Sequence, residues 1–290
     1  MATPGTVADV EQLLASTGYL SDPDLATVTW LALDLQRPLL LEGEPGTGKT
    51  ALAEALAQGL GLELIRLQCY EGIDATQALF DWDFPRQILH LRAIQAAGGV
   101  DADGAEKSLY DERFLLERPV LRALRTPSVL LVDEVDRADD EFEAFLLEVL
   151  STYQVSVPEI GTITAATPPV VVLTSNRTRE LHDALKRRCL YHWIDHPGLE
   201  REVGIVRSRA PEVSEALARQ VVTVVQRLRS DADLLKPPGV AETLDWARAL
   251  HRLGTTDLDL ERAAATLGAL VKYREDGERV RHALDQVLRS

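Results

Sequence analysis

The chain has 290 residues, 46% of them apolar and 27% charged, and 31 Lys and Arg against 46 Asp and Glu leave a formal charge of −15. Such a chain is long enough to bury a large core in one domain, or in a main domain with a small companion, and it is not disordered. The charge argues against nonspecific nucleic-acid binding, which needs Lys and Arg to neutralise phosphates, and aliphatic runs of about four residues fall far short of a membrane span of roughly 20.

The first 20 residues, which show no basic-then-apolar leader, read as an arm. Ser21-Asp22-Pro23 then opens a helix to about Gln36, with an oxygen-bearing cap followed by proline in the first turn. Five short apolar segments recur along the chain: Leu39–Leu41, Leu62–Leu67, Val129–Val132, Val170–Leu173 and Leu190–Ile194. Three of them are apolar at consecutive positions, as strands buried on both faces are, and the helical stretches between them imply a parallel sheet covered by helices. Ala51–Gly59 reads as a helix, and Glu141–Leu150 carries Phe142, Phe145, Leu146, Val149 and Leu150 on one helical face. Gln154–Val157, a turn at Pro158–Gly161 and Thr162–Ala165 predict a β-hairpin at about 154–165. Gln87–Arg125 is an insertion between the second and third strands, with an acidic glycine-rich loop at Gly98–Gly104. After Pro197-Gly198 the strand signals stop. Leu199–Ser208, Val213–Arg229, Val240–Leu253, Leu258–Arg274 and Glu278–Leu288 read as helices, so an α/β domain over 21–197 is followed by a helical domain over 198–290.

Gly43-Glu44-Pro45-Gly46-Thr47-Gly48-Lys49-Thr50 fits G-x-x-x-x-G-K-[ST], after an apolar strand and before a helix that begins with Ala51. The glycines let backbone N–H groups approach phosphate oxygens, and the positive end of the helix adds to the attraction. Lys49 is expected to reach the β- and γ-phosphates of a nucleotide and the Thr50 hydroxyl to coordinate Mg²⁺. The bland alternative is a glycine-rich helix cap. The third strand ends in Asp133-Glu134, which makes Asp133 the second metal residue and Glu134 the base that polarises the attacking water. Asn176, at the end of the fourth strand, is placed to orient that water, or else belongs to a turn. A guanidinium in Leu185-Lys186-Arg187-Arg188-Cys189, before the fifth strand, can bind γ-phosphate oxygens in two-pronged fashion, or the segment is a solvated basic turn.

Together, the phosphate loop, the Leu-Val-Asp-Glu strand end, the Thr-Ser-Asn strand end, the arginine before the fifth strand and the helical C-terminus resemble an AAA+ ATPase. The hairpin and the insertion resemble the MoxR branch. Arg66–Gly72, Leu234–Gly239 and Glu242–Leu250 are similar to its CoxD-like group. The resemblance implies a sheet of order 5-1-4-3-2, a helical lid, and a ring hexamer with ATP between subunits. It makes Asn176 the first sensor and Arg188 the arginine finger acting on a neighbour's ATP, with Arg187 as the fallback. It implies a chaperone that works with a von Willebrand A-domain partner on a protein client; CoxD-like members are linked to the metal site of molybdenum hydroxylases. The second sensor arginine of many AAA+ lids is not matched: Gly239 holds its position, so the second sensor is absent or Lys236 or Arg248 serves.

Phe80-Asp81-Trp82-Asp83-Phe84 reads as rings packed under the insertion or as a partner surface. Cys69 and Cys189 are too few for a disulfide framework and, with no metal spacing among the histidines, indicate reduced thiols in the cytoplasm. Two other functions remain open on the sequence: a nucleotide-dependent docking switch with little turnover, and a nucleic-acid motor or loader.

Overall fold

The computed structural model describes residues 4–96, 108–158, 160–231 and 233–289, so the Gly98–Gly104 loop lies outside the described residues. The strands are β1 Leu39–Gly43, β2 Glu63–Gln68, β3 Phe80–Trp82, β4 Leu115–Glu117, β5 Ser128–Asp133, β6 Gln154–Val157, β7 Gly161–Thr164, β8 Val170–Ser175 and β9 Leu190–Ile194. The helices begin with α1 Val7–Ser16, α2 Pro23–Asp34, α3 Lys49–Leu60, α4 Ala75–Ala78, α5 Phe84–Ala96, α6 Pro119–Arg125, α7 Asp140–Thr152 and α8 Asp183–Arg188. They continue with α9 Leu199–Arg209, α10 Glu215–Asp231, α11 Val240–Arg252, α12 Leu260–Ala265, α13 Leu267–Leu270 and α14 Arg274–Arg289. No helix among the described residues is long and apolar enough to cross a membrane.

The main sheet runs β2-β5-β8-β1-β9. Numbered by the five apolar segments of the sequence, this is the expected order 5-1-4-3-2. Position in the sheet explains the composition of each strand. β1 and β5 are buried at every residue and β8 at all but its first, so they read as continuous apolar runs. β2 is an edge strand and alternates, burying Ile65 and Leu67 and exposing Arg66 and Gln68. It pairs in parallel with β5, and the register sets Arg66 opposite Leu131 and Gln68 opposite Asp133. Two small antiparallel pairs flank the sheet. β6 with β7 is the expected hairpin. β3 with β4 joins Phe80–Trp82 to Leu115–Glu117 across the insertion, and the sequence shows no strand signal for either.

By internal packing the chain divides into two compact units. One holds Thr27–Leu41 and Leu56–His192; the other holds Thr6–Ala26, Glu42–Ala55 and the chain from Trp193 onward. The core of the first joins the sheet to α6 and α7 through residues such as Leu130, Val132, Leu121, Phe142 and Leu146, each contributing about 1.5–3 kcal/mol by burial. The core of the second gathers Val206, Val221, Val225, Trp246, Leu250 and Leu284 from the C-terminal helices. Within it, Glu202, fully buried, receives Arg229 in two-pronged fashion at 2.7 and 2.8 Å, and Thr243 Oγ1 donates to the same carboxylate at 2.9 Å. This buried charge is thus paired and hydrogen-bonded, the condition for tolerating it.

Two segments differ from the sequence reading. Val7–Ser16 of the expected arm is a helix, opened by a reciprocal cap in which Asp9 N–H donates to Thr6 Oγ1 at 3.2 Å and Thr6 N–H to Asp9 at 2.9 Å. The expected helix Leu258–Arg274 is broken into α12 and α13 at Thr266, whose hydroxyl donates to Arg262 O and accepts from Trp246 Nε1, both at 2.7 Å. The chain is then extended at Val271, and α14 starts at Arg274 rather than near Glu278.

Candidate nucleotide site

The phosphate loop lies in the second unit, between β1 and α3. Gly43 closes β1 so near β9 that a Cβ would sit 2.3 Å from Ile194 O, which only glycine permits. Lys49 is the first residue of α3 and is 6% exposed. Its Nζ donates to Gly43 O at 2.8 Å and Glu44 O at 2.7 Å, so an ammonium is buried inside the loop on its own carbonyl groups. Thr47 Oγ1 donates to Glu44 O at 2.9 Å and tightens the same turn. A buried cation beside a helix N-terminus is a setting for an anion, and the loop therefore fits a nucleotide phosphate.

The start of α11 packs on this loop. Val240 N–H donates to Gly46 O at 2.9 Å. Gly46 has φ of 78°, and a Cβ on Gly239 would lie 2.8 Å from both Gly46 Cα and Pro45 O. Gly239, which the resemblance aligns with a second sensor arginine, thus has no room for a side chain. Of the two candidate substitutes, Lys236 is exposed, and Arg248 donates to Arg209 O at 2.6 Å.

The acid pair lies in the first unit, at the end of β5. Asp133 is 3% exposed; Arg66 bonds its Oδ2 at 2.5 Å and Thr174 Oγ1 bonds its Oδ1 at 2.5 Å. Glu134 has a left-handed backbone, φ 55° and ψ 49°, a conformation that costs an L-residue about 1–2 kcal/mol. It is held there by its N–H bond to Thr174 Oγ1 at 2.9 Å. Its carboxylate meets three side chains: Asn176 Nδ2 on Oε1 at 3.2 Å, Gln68 Nε2 on Oε2 at 3.2 Å, and Arg137 at 2.8 Å. The buried carboxylate of Asp133 has the hard oxygen chemistry that Mg²⁺ selects, and Asn176, read from the sequence as a water-orienting residue or part of a turn, donates to Glu134.

Arg66, Gln68, Thr174 and Arg137 were not singled out as site residues. Period-two alternation in Glu63–Gln68 places Arg66 and Gln68 on one face, but only the register against β5 brings them to the acids.

The arginine turn is divided in its roles. Arg188 donates from Nε to Leu150 O at 3.2 Å and from Nη2 to Ser151 O, capping the C-terminal carbonyl groups of α7. Arg187 is exposed, and its guanidinium bonds no described residue; its carbonyl accepts from Arg37 Nη2 at 2.8 Å. Cys189, next in sequence, is buried, and burial pushes its thiol up to about 12 against the opposing pull of Arg37 and Arg188. Burial, reinforced by Asp133, Asp136 and Glu134, pushes Cys69 up to about 12 as well. Neither is a reactive thiolate.

A glycine-rich phosphate loop between strand and helix, with an acidic strand end in a parallel five-stranded sheet, defines a P-loop nucleoside-triphosphatase fold. Residues 38–189 match the model of the AAA domain, dynein-related subfamily, and the chain belongs to that family. It is similar to an uncharacterised protein of Staphylococcus saprophyticus, 22% identical over 259 residues covering 86% of this chain and 90% of that one. It is also similar to one of Staphylococcus haemolyticus, 24% identical over 238 residues covering 79% and 82%. Among solved structures, a variant of Thermotoga maritima RuvB has the same fold, with a TM-score of 0.50 at 17% identity over 91% of this chain and 73% of that one.

Proposed function

We propose that the protein is an ATP-hydrolysing chaperone of the MoxR type, which uses turnover to remodel a protein client. The observation that carries the reading is the pairing of Asn176 with Glu134 at 3.2 Å beside a buried Asp133. A bound ATP and Mg²⁺ supply the phosphoanhydride to be cleaved and a Lewis acid on its oxygens. Gly43–Ala51 hold the phosphates, Lys49 neutralises their charge, and Thr50 with Asp133 hold the metal. Glu134 takes the proton of the attacking water, and Asn176 orients that water against it.

The arginine finger of the reading falls to Arg187, because the Arg188 guanidinium is committed to α7. The ring hexamer, the von Willebrand A-domain partner and a client such as a molybdenum hydroxylase come from the resemblance to the MoxR and CoxD-like proteins and are part of the proposal. Glu134→Gln tests it. The variant is expected to bind ATP with unchanged affinity, to lose turnover by a factor on the order of 10² or more, and to retain its partner during purification. Retained hydrolysis removes Glu134 from the role of base.

A further inference from the structure

We propose that Asp136 is a positioning residue that sets Asn176 against Glu134. The inference rests on the ATP-hydrolysing reading above, and adds to it the group that holds the water-orienting amide in place.

Asp136 follows the acid pair by two residues, in the short helical turn Val135–Arg137. It is 2% exposed, and its carboxylate points away from solvent into the segment that leaves β8. There it accepts from Asn176 N–H at 3.2 Å, Thr178 N–H at 2.8 Å and Thr178 Oγ1 at 2.7 Å. These bonds bracket Arg177, whose φ of 55° puts a long side chain in the left-handed region. Such a residue does not stay there unheld. A carboxylate anchoring the N–H groups on both sides fixes the reversal, and Ser175 Oγ adds a bond to Arg177 N–H at 3.1 Å.

The reversal decides where Asn176 points. Asn176 sits at its first position, and its side-chain amide meets Glu134 Oε1 at 3.2 Å. Without the anchor, Arg177 relaxes toward right-handed dihedrals and Asn176 turns with it, taking the amide off the carboxylate. Because Asp136 and Glu134 belong to one short turn, the amide is measured from the same piece of backbone that carries the base. A second carboxylate repeats the device further on. Glu143, 1% exposed, accepts from His182 N–H at 2.8 Å and pairs with Arg179, so that the segment from Asn176 to His182 is fastened at both ends. Asp136 reaches the reacting groups only through Asn176, whose backbone N–H it accepts.

The test is a double-mutant cycle of Asp136→Asn and Asn176→Ala, read by kcat and KM for ATP with thermal unfolding alongside. Asp136→Asn keeps the shape but faces two backbone donors with an amide. It is expected to lower kcat about 10-fold, in line with the cost of a misplaced catalytic group, and to leave KM within about twofold. In the Asn176→Ala background the same substitution should lower kcat no further, since the group it positions is gone. Equal losses of kcat in both backgrounds overturn the inference, as does a rise in KM with unchanged kcat. If Asp136→Asn does not fold, Thr178→Val, which deletes one of the three bonds, takes its place in the cycle with a smaller loss and the same two outcomes. Failure of the reading beneath is separately visible, because Glu134→Gln would then leave hydrolysis intact.

Discussion

Truncating Arg188 and truncating Arg187 to alanine should damage the protein in different ways, although the two residues are adjacent. Arg188 Nε and Nη2 donate to Leu150 O and Ser151 O, the last turn of α7. A hydrogen bond from a charged group contributes about 1.5–3 kcal/mol. The guanidinium is half-buried, so water replaces part of each bond after truncation, and the pair together is worth about 2 kcal/mol. For a unit of this size that is a fall of roughly 4–8 °C in Tm. Arg187 is exposed and bonds no described residue through its guanidinium, so its removal should leave Tm within about 1 °C, the range of neutral surface substitutions. Its effect should fall on turnover, by a factor on the order of 10³ if it completes a neighbour's site. Mixing Arg187→Ala chains with Lys49→Ala chains should then restore part of the activity, because some interfaces regain one intact loop and one intact finger. Differential scanning fluorimetry and a phosphate-release assay on each variant decide the matter. An Arg188→Ala protein with unchanged Tm and abolished turnover would refute the division of roles, as would an Arg187→Ala protein that unfolds as early as Arg188→Ala.

Gly239→Ala places a methyl group 2.8 Å from Gly46 Cα and Pro45 O, so α11 or the phosphate loop must give way. The strain, about 1–3 kcal/mol, should weaken binding of a fluorescent ATP analogue by roughly tenfold or more; an unchanged Kd would show that the loop tolerates displacement. The two cysteines, held near 12 by burial, should stay protonated and resist an aromatic disulfide reagent at pH 8 until the chain is unfolded. Rapid labelling of native protein would contradict their burial.

The sheet was legible because a parallel sheet with helices on both faces demands uninterrupted apolar strands, and Val129–Val132 and Val170–Leu173 supply them. The phosphate loop was legible because close approach to phosphate restricts the residue types at Gly43, Gly46, Gly48 and Lys49. What escaped depends on contacts between distant segments. β3 and β4 are three-residue strands whose partners are more than thirty positions apart, and neither has a period long enough to count. Arg66 and Gln68 read as the polar face of an edge strand; their bonds to Asp133 and Glu134 follow from a register that one strand alone cannot reveal. The bonds of Arg188 to Leu150 O and Ser151 O could be read only once the end of α7 was located. The cap of α1 was present in Thr6 and Asp9.

α7 has a mechanical consequence. The helix is about 20 Å long at 1.5 Å per residue, a stiff rod whose Asp139 cap follows directly on the turn that carries Glu134 and Asp136. Its far end is gripped by Arg188, and Arg187 rides on the same short helix, α8. A rod of this kind does not shorten under load: an ångström of travel at the acid end is delivered as an ångström at the arginine end. In the proposed reading, the base Glu134 and the finger Arg187 are therefore carried at the two ends of one rod.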